Sequence, residues 1–320
     1  MPTIVITGGT GLIGNALSKM LISNGYDVIV LTRDKNAGNA QVVNPAISHE
    51  SLPGVKFAAW DIKSQAIDAE AIKQADFIIH LAGAGVADKR WTAKRKSEIV
   101  DSRIQSSALL VKGLKENHHH VKAVLSASAI GWYGADRSIP SNKPFVETDL
   151  PDSGFLGETC KLWEESIEPV ALSGIRLVKF RTGIVLSKEG GAFPEFKKPV
   201  RFGVAGILGN GKQVISWIHI DDLCRMYLYA IENELVSGAF NAVAPKPVSN
   251  KELTIRLAQC YKKNFYVPMH VPSFVLQIML GEMKEEVLKS ATVCCDKIRK
   301  AGFNFIFPSI ENALNDLLRE

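Results

Sequence analysis

Residues 3–14 of the chain read TIVITGGTGLIG. The first five residues form a β-branched apolar run, which is typical of a buried strand. The glycine-rich segment that follows leads without a gap into residues 15–24, where apolar residues recur at helical spacing. A strand, a glycine-rich turn and a helix in this order indicate a dinucleotide-binding site.

In such a site the glycines act through their missing side chains. One permits the tight turn, a second lets a pyrophosphate approach backbone N–H groups, and a third lets the helix pack close to the strand. The anion then lies at the positive end of the helix dipole. We therefore predict that a nucleotide binds at Gly8, Thr10, Gly11, Leu12 and Ile13. The alternative is a purely structural turn.

The end of the second predicted strand, residues 26–32, indicates which dinucleotide binds. NAD sites usually place Asp or Glu there, to bind the ribose 2′-hydroxyl. This chain has Thr32, followed by Arg33 and, nearby, Lys35. Without a carboxylate a 2′-phosphate is not repelled, and a guanidinium can bind it through paired hydrogen bonds. We predict NADP as the cofactor; the alternative is that Arg33 is a solvated loop residue.

Strand and helix patterns alternate over the first 180 residues. Further strands are predicted at residues 55–60, 75–81, 121–128 and 175–181, helices at 68–74, 91–117 and 155–172, and an irregular loop at 34–54. This alternation predicts a parallel, doubly wound sheet. In such sheets the ligand crevice lies outside the carboxyl ends of the strands.

Residues at those strand ends are candidates for the cofactor site. Asp61 follows the third strand, where it could bind the adenine amino group or simply form a turn. Leu81, Ala82 and Gly83 end the fourth strand, and small residues there let the chain pass over a cofactor. Arg103, in the long helix that follows, is also expected at the crevice.

Composition and charge exclude several classes of protein. The chain has 320 residues, of which 46% are hydrophobic and 22% charged. Its net charge is +5, and its basic residues are scattered along the sequence. This favours an anionic small ligand over nucleic acid. Since no apolar run approaches ~18 residues and the first residues lead directly into a strand, we predict a cytoplasmic protein without a membrane partner.

Neither the cysteines nor the histidines indicate a metal site. The five cysteines are odd in number and contain no Cys-x-x-Cys pair, which disfavours a disulfide framework and a zinc site. Residues 118–120 are three consecutive histidines without an accompanying ligand cluster. We interpret them as a solvated helix end and predict no metal.

Two motifs in the second half of the chain have ordinary explanations. Residues 206–212 match the spacing of a triphosphate-binding loop, but Gln213 stands where Ser or Thr should bind magnesium. We discount that match, noting also that no strong strand pattern precedes it. Asp221 or Asp222 is expected to cap a helix that runs to Ile231.

The chain from Val248 onward is predicted to contain two helices. Phe303, Phe305 and Phe307 alternate with polar residues near the end. This pattern favours a core strand or a packed tail over a ligand-binding group.

Several segments together resemble a known family. In order, they are residues 7–14, 81–83, 90–92, 102–104, 181–186, 190–192, 217–220, 241–245 and 280–283. They are similar to the sugar-nucleotide epimerase-like family of atypical extended short-chain dehydrogenase/reductases, called epimerase family proteins. The last segment matches the family's C-terminal domain of unknown function, here about residues 249–318.

The resemblance implies a fold and a domain organisation. The expected fold is α/β, a Rossmann doubly wound parallel sheet with a smaller C-terminal α/β substrate lobe. Residues 1–185 and 217–245 would form the NADP-binding domain, and residues 186–216 and 246–320 the smaller domain. Apart from the resemblance, we expect a monomer or a homodimer with a small-molecule substrate of unknown identity.

The catalytic residues of the superfamily are only partly present. Its members use a Ser or Thr that binds the reacting oxygen, a Tyr that passes the proton, and a Lys that lowers the pKa of the Tyr and holds the ribose. By alignment Ser128 and Lys161 match the hydroxyl and the lysine, and both are expected to be catalytic. The tyrosine position holds Gly157. Lys161 is a ribose contact or, alternatively, a solvated helix lysine.

Two other residues could supply the proton. Tyr133 lies five residues beyond Ser128, but we favour a packing role for it. Glu158 is more simply a helix-start carboxylate. The first hypothesis is therefore an NADP-dependent oxidoreductase or epimerase with an unusual proton donor, acting on a small or nucleotide-linked substrate. The second is a non-catalytic NADP(H)-binding protein that senses redox state or binds a partner.

Overall fold

The computed structural model describes residues 1–33, 54–263 and 265–319. The strands are β1 (Thr3–Thr7), β2 (Asp27–Thr32), β3 (Val55–Asp61), β4 (Ala66–Ile67), β5 (Phe77–His80), β6 (Ala123–Ala129), β7 (Arg176–Thr182), β8 (Ile184–Ser187), β9 (Gly190–Gly191), β10 (Val204–Leu208), β11 (Val214–Ile215), β12 (Trp217–His219), β13 (Gly238–Ala242), β14 (Val248–Ser249) and β15 (Val267–Val271). The helices are α1 (Leu12–Ser23), α2 (Ala69–Gln74), α3 (Ala93–Glu116), α4 (Phe155–Ile167), α5 (Pro169–Leu172), α6 (Ala192–Arg201), α7 (Ile220–Glu232), α8 (Asn250–Lys262), α9 (Ser273–Leu280), α10 (Lys284–Leu288), α11 (Asp296–Lys300) and α12 (Ile310–Leu317).

One large sheet organises the first part of the chain. Its strand order is β13-β7-β6-β5-β1-β2-β3-β4, and every neighbouring pair is parallel except β3 and β4. From β1 the chain builds outward to β2 and β3, then returns to the other side of β1 with β5. This reversal makes the carboxyl ends of β1 and β5 the topological switch point, where ligands bind in such sheets.

Helices cover both faces of the sheet. In β1, Ile4 and Ile6 belong to the core on one face, which also includes residues of α1 and α7. Val5 belongs to the core on the opposite face, which includes residues of α3. Because alternate residues of a strand point to opposite faces, a strand buried on both sides is apolar throughout. The doubly wound parallel sheet is therefore confirmed.

A smaller α/β lobe has its own core. Phe193, Trp217, Leu257 and Leu314 are buried together there, from α6, β12, α8 and α12. Short sheets accompany these helices: β10 with β15, β11 with β14, and β12-β8-β9. The smaller lobe is confirmed, whereas the exact residue boundaries between the two domains stay a prediction.

Two predictions about helices are wrong, and a third is confirmed only in part. The helix predicted at 155–172 is interrupted at Glu168, because Pro169 has no N–H group to continue it. His219, not an aspartate, caps α7, since its Nδ1 accepts a hydrogen bond of 3.1 Å from the Asp221 N–H. The described chain beyond Val248 contains five α-helices rather than two, and those of five residues are too short to give a clear periodic pattern.

The structure also accounts for the triphosphate-loop spacing and for the aromatic run near the end of the chain. A strand, β10, does precede residues 209–212, but the turn leads into β11 and not into the helix that a triphosphate site requires. Phe303 is buried and packs edge-to-face on Tyr229, so the aromatic run is a packed tail. The helices of the described chain include none that is long and apolar enough to cross a membrane. Residues 34–53, most of the predicted loop, lie outside the described residues.

Candidate functional site

The glycine-rich turn after β1 leaves room only for backbone. Gly8 has a φ of 70°, and a Cβ built there would lie 2.9 Å from the carbonyl carbon of Leu81. A Cβ on Gly14 would lie 2.6 Å from the Gly8 carbonyl oxygen. At the tip, Thr10 and Gly11 are exposed, and no side chain of the described residues caps α1. The unpaired N–H groups at the start of α1 are thus available to an anion.

A buried hydrogen-bond network fixes the segment opposite this turn. Thr7 Oγ1 lies 2.8 Å from Nδ1 of His80 and accepts bonds of 3.2 Å from the N–H groups of Leu81 and Ala82. The Thr7 hydroxyl therefore donates to Nδ1, and the His80 hydrogen is on Nε2, 3.2 Å from Ser107 Oγ. Burial lowers the pKa of His80 to about 4, so the ring is neutral at pH 7.

Gly83 and Arg103 lie against each other beyond the carboxyl end of β5. Gly83 is exposed, and a Cβ on it would lie 3.3 Å from the Arg103 side chain. The Arg103 guanidinium donates to the carbonyls of Ala84 and Ile99, at 3.0 and 2.9 Å, and lies over the Trp163 ring. Burial lowers the pKa of Arg103. Arg103 thus holds the β5 loop, and its predicted cofactor contact stays a prediction.

The predicted adenosine contacts lie at the ends of β2 and β3. Thr32 is half-buried and Arg33 is exposed, whereas Lys35 lies outside the described residues. The Asp61 carboxylate accepts hydrogen bonds of 2.9 Å from the Lys63 N–H and the Ser64 hydroxyl, which keep the pKa of Asp61 below its usual range. Asp61 therefore closes a turn, and its contact with adenine is untested.

The Ser128 hydroxyl is already engaged. Ser128 is 3% exposed and donates a hydrogen bond of 2.8 Å to Oε1 of Glu164. Arg181 holds the same carboxylate, with Nε 2.8 Å from Oε1 and Nη2 3.1 Å from Oε2. Because a serine has a single hydroxyl proton, Ser128 in this arrangement donates to Glu164 and to no other acceptor.

Position 157 cannot hold a side chain in this backbone. A Cβ built on Gly157 would lie 2.7 Å from the carbonyl carbon of Asp152 and closer still to its oxygen. Lys161, one helical turn later, is half-buried, and its Nζ lies 3.9 Å from Glu158 Oε2. The superfamily's tyrosine is thus excluded here by packing as well as by sequence.

Tyr133 does not replace that tyrosine. Its hydroxyl is buried, donates 2.6 Å to Asn241 Oδ1 and accepts from Arg181 Nη1 at 3.1 Å. Burial raises the pKa of Tyr133 to about 12. The predicted packing role of Tyr133 is confirmed.

The edge of the crevice includes residues for which no role was predicted. Trp91, in the loop after β5, packs edge-to-face on Phe155 at the start of α4, with ring centres 5.0 Å apart. The C-terminal lobe reaches this edge, because Lys96 forms an ion pair with Glu282 and Arg90 Nη2 donates 2.6 Å to the Ile278 carbonyl. The sequence gives no signal for these contacts beyond the family resemblance of residues 90–92 and 280–283.

One group of potential metal ligands has a structural explanation. His219, Asp221 and Asp316 offer ligand atoms within 4.8 Å of one another. The His219 Nδ1 lone pair accepts the Asp221 N–H, so the ring hydrogen is on Nε2, 3.4 Å from Asp316 Oδ2. With its Nδ1 lone pair used in the helix cap, His219 orients the start of α7.

Known proteins share both parts of this architecture. The model of the NAD dependent epimerase/dehydratase family matches residues 4–242, and that of a domain of unknown function, DUF1731, matches residues 271–317. An epimerase family protein of Staphylococcus saprophyticus is 34% identical over 320 residues, covering 99% of this chain and 100% of that protein. The epimerase family protein YfhF of Bacillus subtilis is 32% identical over 318 residues, covering 99% and 98%.

Solved structures of similar proteins have the same fold. The human epimerase family protein SDR39U1 (isoform 2), crystallised with NADPH, has a TM-score of 0.82 and 25% identity, covering 98% of each chain. A nucleoside-diphosphate sugar epimerase from Corynebacterium glutamicum has a TM-score of 0.75 and 29% identity, covering 99% of this chain and 58% of that one. The resemblance predicted from the sequence is confirmed, and this chain belongs to the NAD dependent epimerase/dehydratase family.

Proposed function

We propose that this protein binds NADP(H) in the crevice between β1 and β5 and acts as an oxidoreductase or epimerase on a small or nucleotide-linked substrate. The backbone cradle at Gly8 and Gly14 carries the proposal, because its shape excludes side chains where a diphosphate needs N–H groups. The human relative crystallised with NADPH supports the same cofactor. When bound, the cofactor supplies hydride transfer.

Different residues of the chain bind different parts of the cofactor. Backbone groups of residues 8–13 hold the diphosphate, and Leu81, Ala82 and Gly83 pass over the cofactor. At the adenosine end, Thr32 presents no carboxylate, and the exposed Arg33 guanidinium binds the 2′-phosphate. Lys161 contacts the nicotinamide ribose.

Proton transfer requires a change in the hydrogen bonds described above. For Ser128 to bind a substrate oxygen, its hydroxyl must leave Glu164. Lys161 and Glu158 form an ion pair on α4, with Nζ 3.9 Å from Oε2, and we assign to this pair the proton transfer that the tyrosine carries out elsewhere in the superfamily. This assignment makes Lys161 the catalytic cation and Ser128 the substrate hydrogen-bond donor.

A second candidate function is binding without turnover. The close contact between Gly157 and the Asp152 carbonyl favours it, because no general acid can be placed at that position. Such a protein would sense the NADP(H) redox state or bind a partner according to its cofactor state.

A single series of assays separates these possibilities. NADPH and NADH are titrated calorimetrically, and NADPH consumption is followed with a panel of carbonyl compounds and sugar nucleotides. Epimerisation, which consumes no cofactor overall, is followed by NMR of the sugar nucleotides. Binding with turnover supports the first function and binding without turnover the second. Absence of binding by either coenzyme contradicts both.

A further inference from the structure

A basic cavity lies apart from the glycine-rich turn, in the smaller lobe. Its volume is about 400 Å³, and α6, the end of α8 and the turn between β8 and β9 line it. Four cations line it, Lys188, Lys197, Lys198 and Arg201, and none of its described lining residues is acidic. We call this the basic cavity.

Most of this positive charge has no counter-charge. Lys198 pairs with Glu195 at 2.5 Å. Within residues 1–33, 54–263 and 265–319, no carboxylate pairs with Lys188, Lys197 or Arg201. Like charges around one concavity repel one another and raise the local positive potential. An anion in the cavity relieves that repulsion.

Two aromatic rings border the same space, that of the buried Phe193 and that of the more exposed Tyr261. Tyr261 of α8 is 38% exposed, and the Lys197 Nζ lies 4.9 Å from its ring centre. Lys262 Nζ lies 5.5 Å from the same ring and adds a further cation nearby. The cavity therefore offers several cations and apolar surface in one place.

We propose that the basic cavity binds a phosphorylated small molecule. Three unpaired cations match the multiple negative charges of a phosphate group better than the single charge of a carboxylate. A guanidinium such as that of Arg201 binds two phosphate oxygens at once, and lysines add point charges. The volume falls within the range of about 300–1,000 Å³ typical of small-molecule sites.

The basic cavity is connected to the cofactor turn through the β8–β9 turn. Lys188 is followed by Glu189, which pairs with Lys19 of α1 at 3.7 Å. A Cβ on Gly191 would lie 3.2 Å from Leu12 at the start of α1. Since the Rossmann turn is itself a predicted diphosphate site, the experiment must distinguish the two locations.

The test uses inorganic pyrophosphate as the probe. It is titrated calorimetrically into the whole protein at physiological ionic strength, and hydrogen exchange locates the binding. We expect protection of residues 188–201 and 256–262. The double variant Lys197→Glu/Arg201→Glu should weaken binding by about tenfold or more, because charge reversal replaces attraction by repulsion.

A matched control separates a site from general attraction. Lys115→Glu/Lys143→Glu makes the same change in net charge on α3 and on the loop after β6, and should leave the affinity within about twofold. A milder variant, Lys188→Ala, should also weaken binding if the charge reversal disturbs folding. Equal losses in the control, protection confined to residues 8–15, or no binding by the wild type would each overturn the proposal. Protection confined to residues 8–15 would overturn this proposal and still agree with the proposed function, so the two can be told apart.

Discussion

The carbonyl group of Asp152 occupies the space in which a side chain on Gly157 would begin. Gly157 lies in the first turn of α4, and the loop that precedes this helix folds back against it. In the superfamily that the chain resembles, this helix position holds the catalytic tyrosine. The packing of α4 therefore leaves no room for the tyrosine, and a single substitution at Gly157 cannot restore the catalytic residue.

Substitution of Gly157 should reduce stability without creating activity. Gly157→Ala should lower the free energy of unfolding by roughly 1–3 kcal/mol, the usual cost of overpacking, and Gly157→Tyr by more. Denaturant unfolding measures the loss. The control is Gly174→Ala. Gly174 has open space around it but a φ of 88°, so the stability lost in this variant measures backbone strain without overpacking. A stable Gly157→Tyr variant that reduces carbonyl compounds would contradict this account.

The buried Glu164 carboxylate should contribute far more to the free energy of unfolding than an exposed carboxylate does. Glu164→Gln leaves the Arg181 guanidinium buried without its counter-charge and should cost about 3–5 kcal/mol of stability. The control is Glu168→Gln, because Glu168 is half exposed and pairs with Lys179 at 2.7 Å. The control should cost no more than about 1 kcal/mol. Comparable losses in the two variants would show that Glu164 is not the centre of a buried network.

His80 should make stability depend on pH. Its folded-state pKa of about 4 lies below the ordinary value of 6.5, so the unfolded chain binds more protons between those pH values. The free energy of unfolding should therefore fall as the pH decreases from 6.5 to 4, by up to about 3 kcal/mol from this group. Chemical unfolding at several pH values, compared with His80→Gln, isolates the effect. An unchanged pH dependence in the variant would contradict the assignment.

Arg33 should determine the preference between the two coenzymes. Arg33→Glu places a carboxylate beside the ribose and should weaken NADPH binding by about tenfold or more, with little effect on NADH. Fluorescence titration of both coenzymes measures the ratio. Arg137→Glu makes the same change in charge on an exposed loop and serves as the control. Equal losses of NADPH affinity in both variants would show that Arg33 does not bind the 2′-phosphate.

Local patterns were sufficient to predict the large sheet. The apolar run of β1 supplies residues to both cores, and the glycine-rich turn directly follows it, so both signals lie within fourteen residues. The two features that decide the chemistry depend on tertiary contacts. Ser128 meets Glu164 across 36 positions of sequence, and Gly157 is packed by a backbone carbonyl, which no residue type reveals.

The cap of α7 shows a similar limit. Asp221 and Asp222 have the residue type that usually caps a helix, but His219 does so. Asp222 instead accepts hydrogen bonds from the backbone N–H groups of Ile306 and Phe307, at 2.9 and 2.8 Å. It thereby holds the C-terminal segment, more than eighty residues away, and that long-range demand overrides the local preference.

The most direct test of the cofactor site is titration of NADPH into the wild type and Gly11→Asp. Gly11 is the N-cap of α1, where Asp is favourable for the helix, and among the described residues a Cβ there meets only the Gly8 carbonyl oxygen, at 3.4 Å. The variant should keep its thermal stability, yet its carboxylate should repel the diphosphate. We predict that the wild type binds NADPH and that the folded variant loses at least about a hundredfold in affinity. Equal binding by both proteins, or no binding by the wild type, would contradict the account.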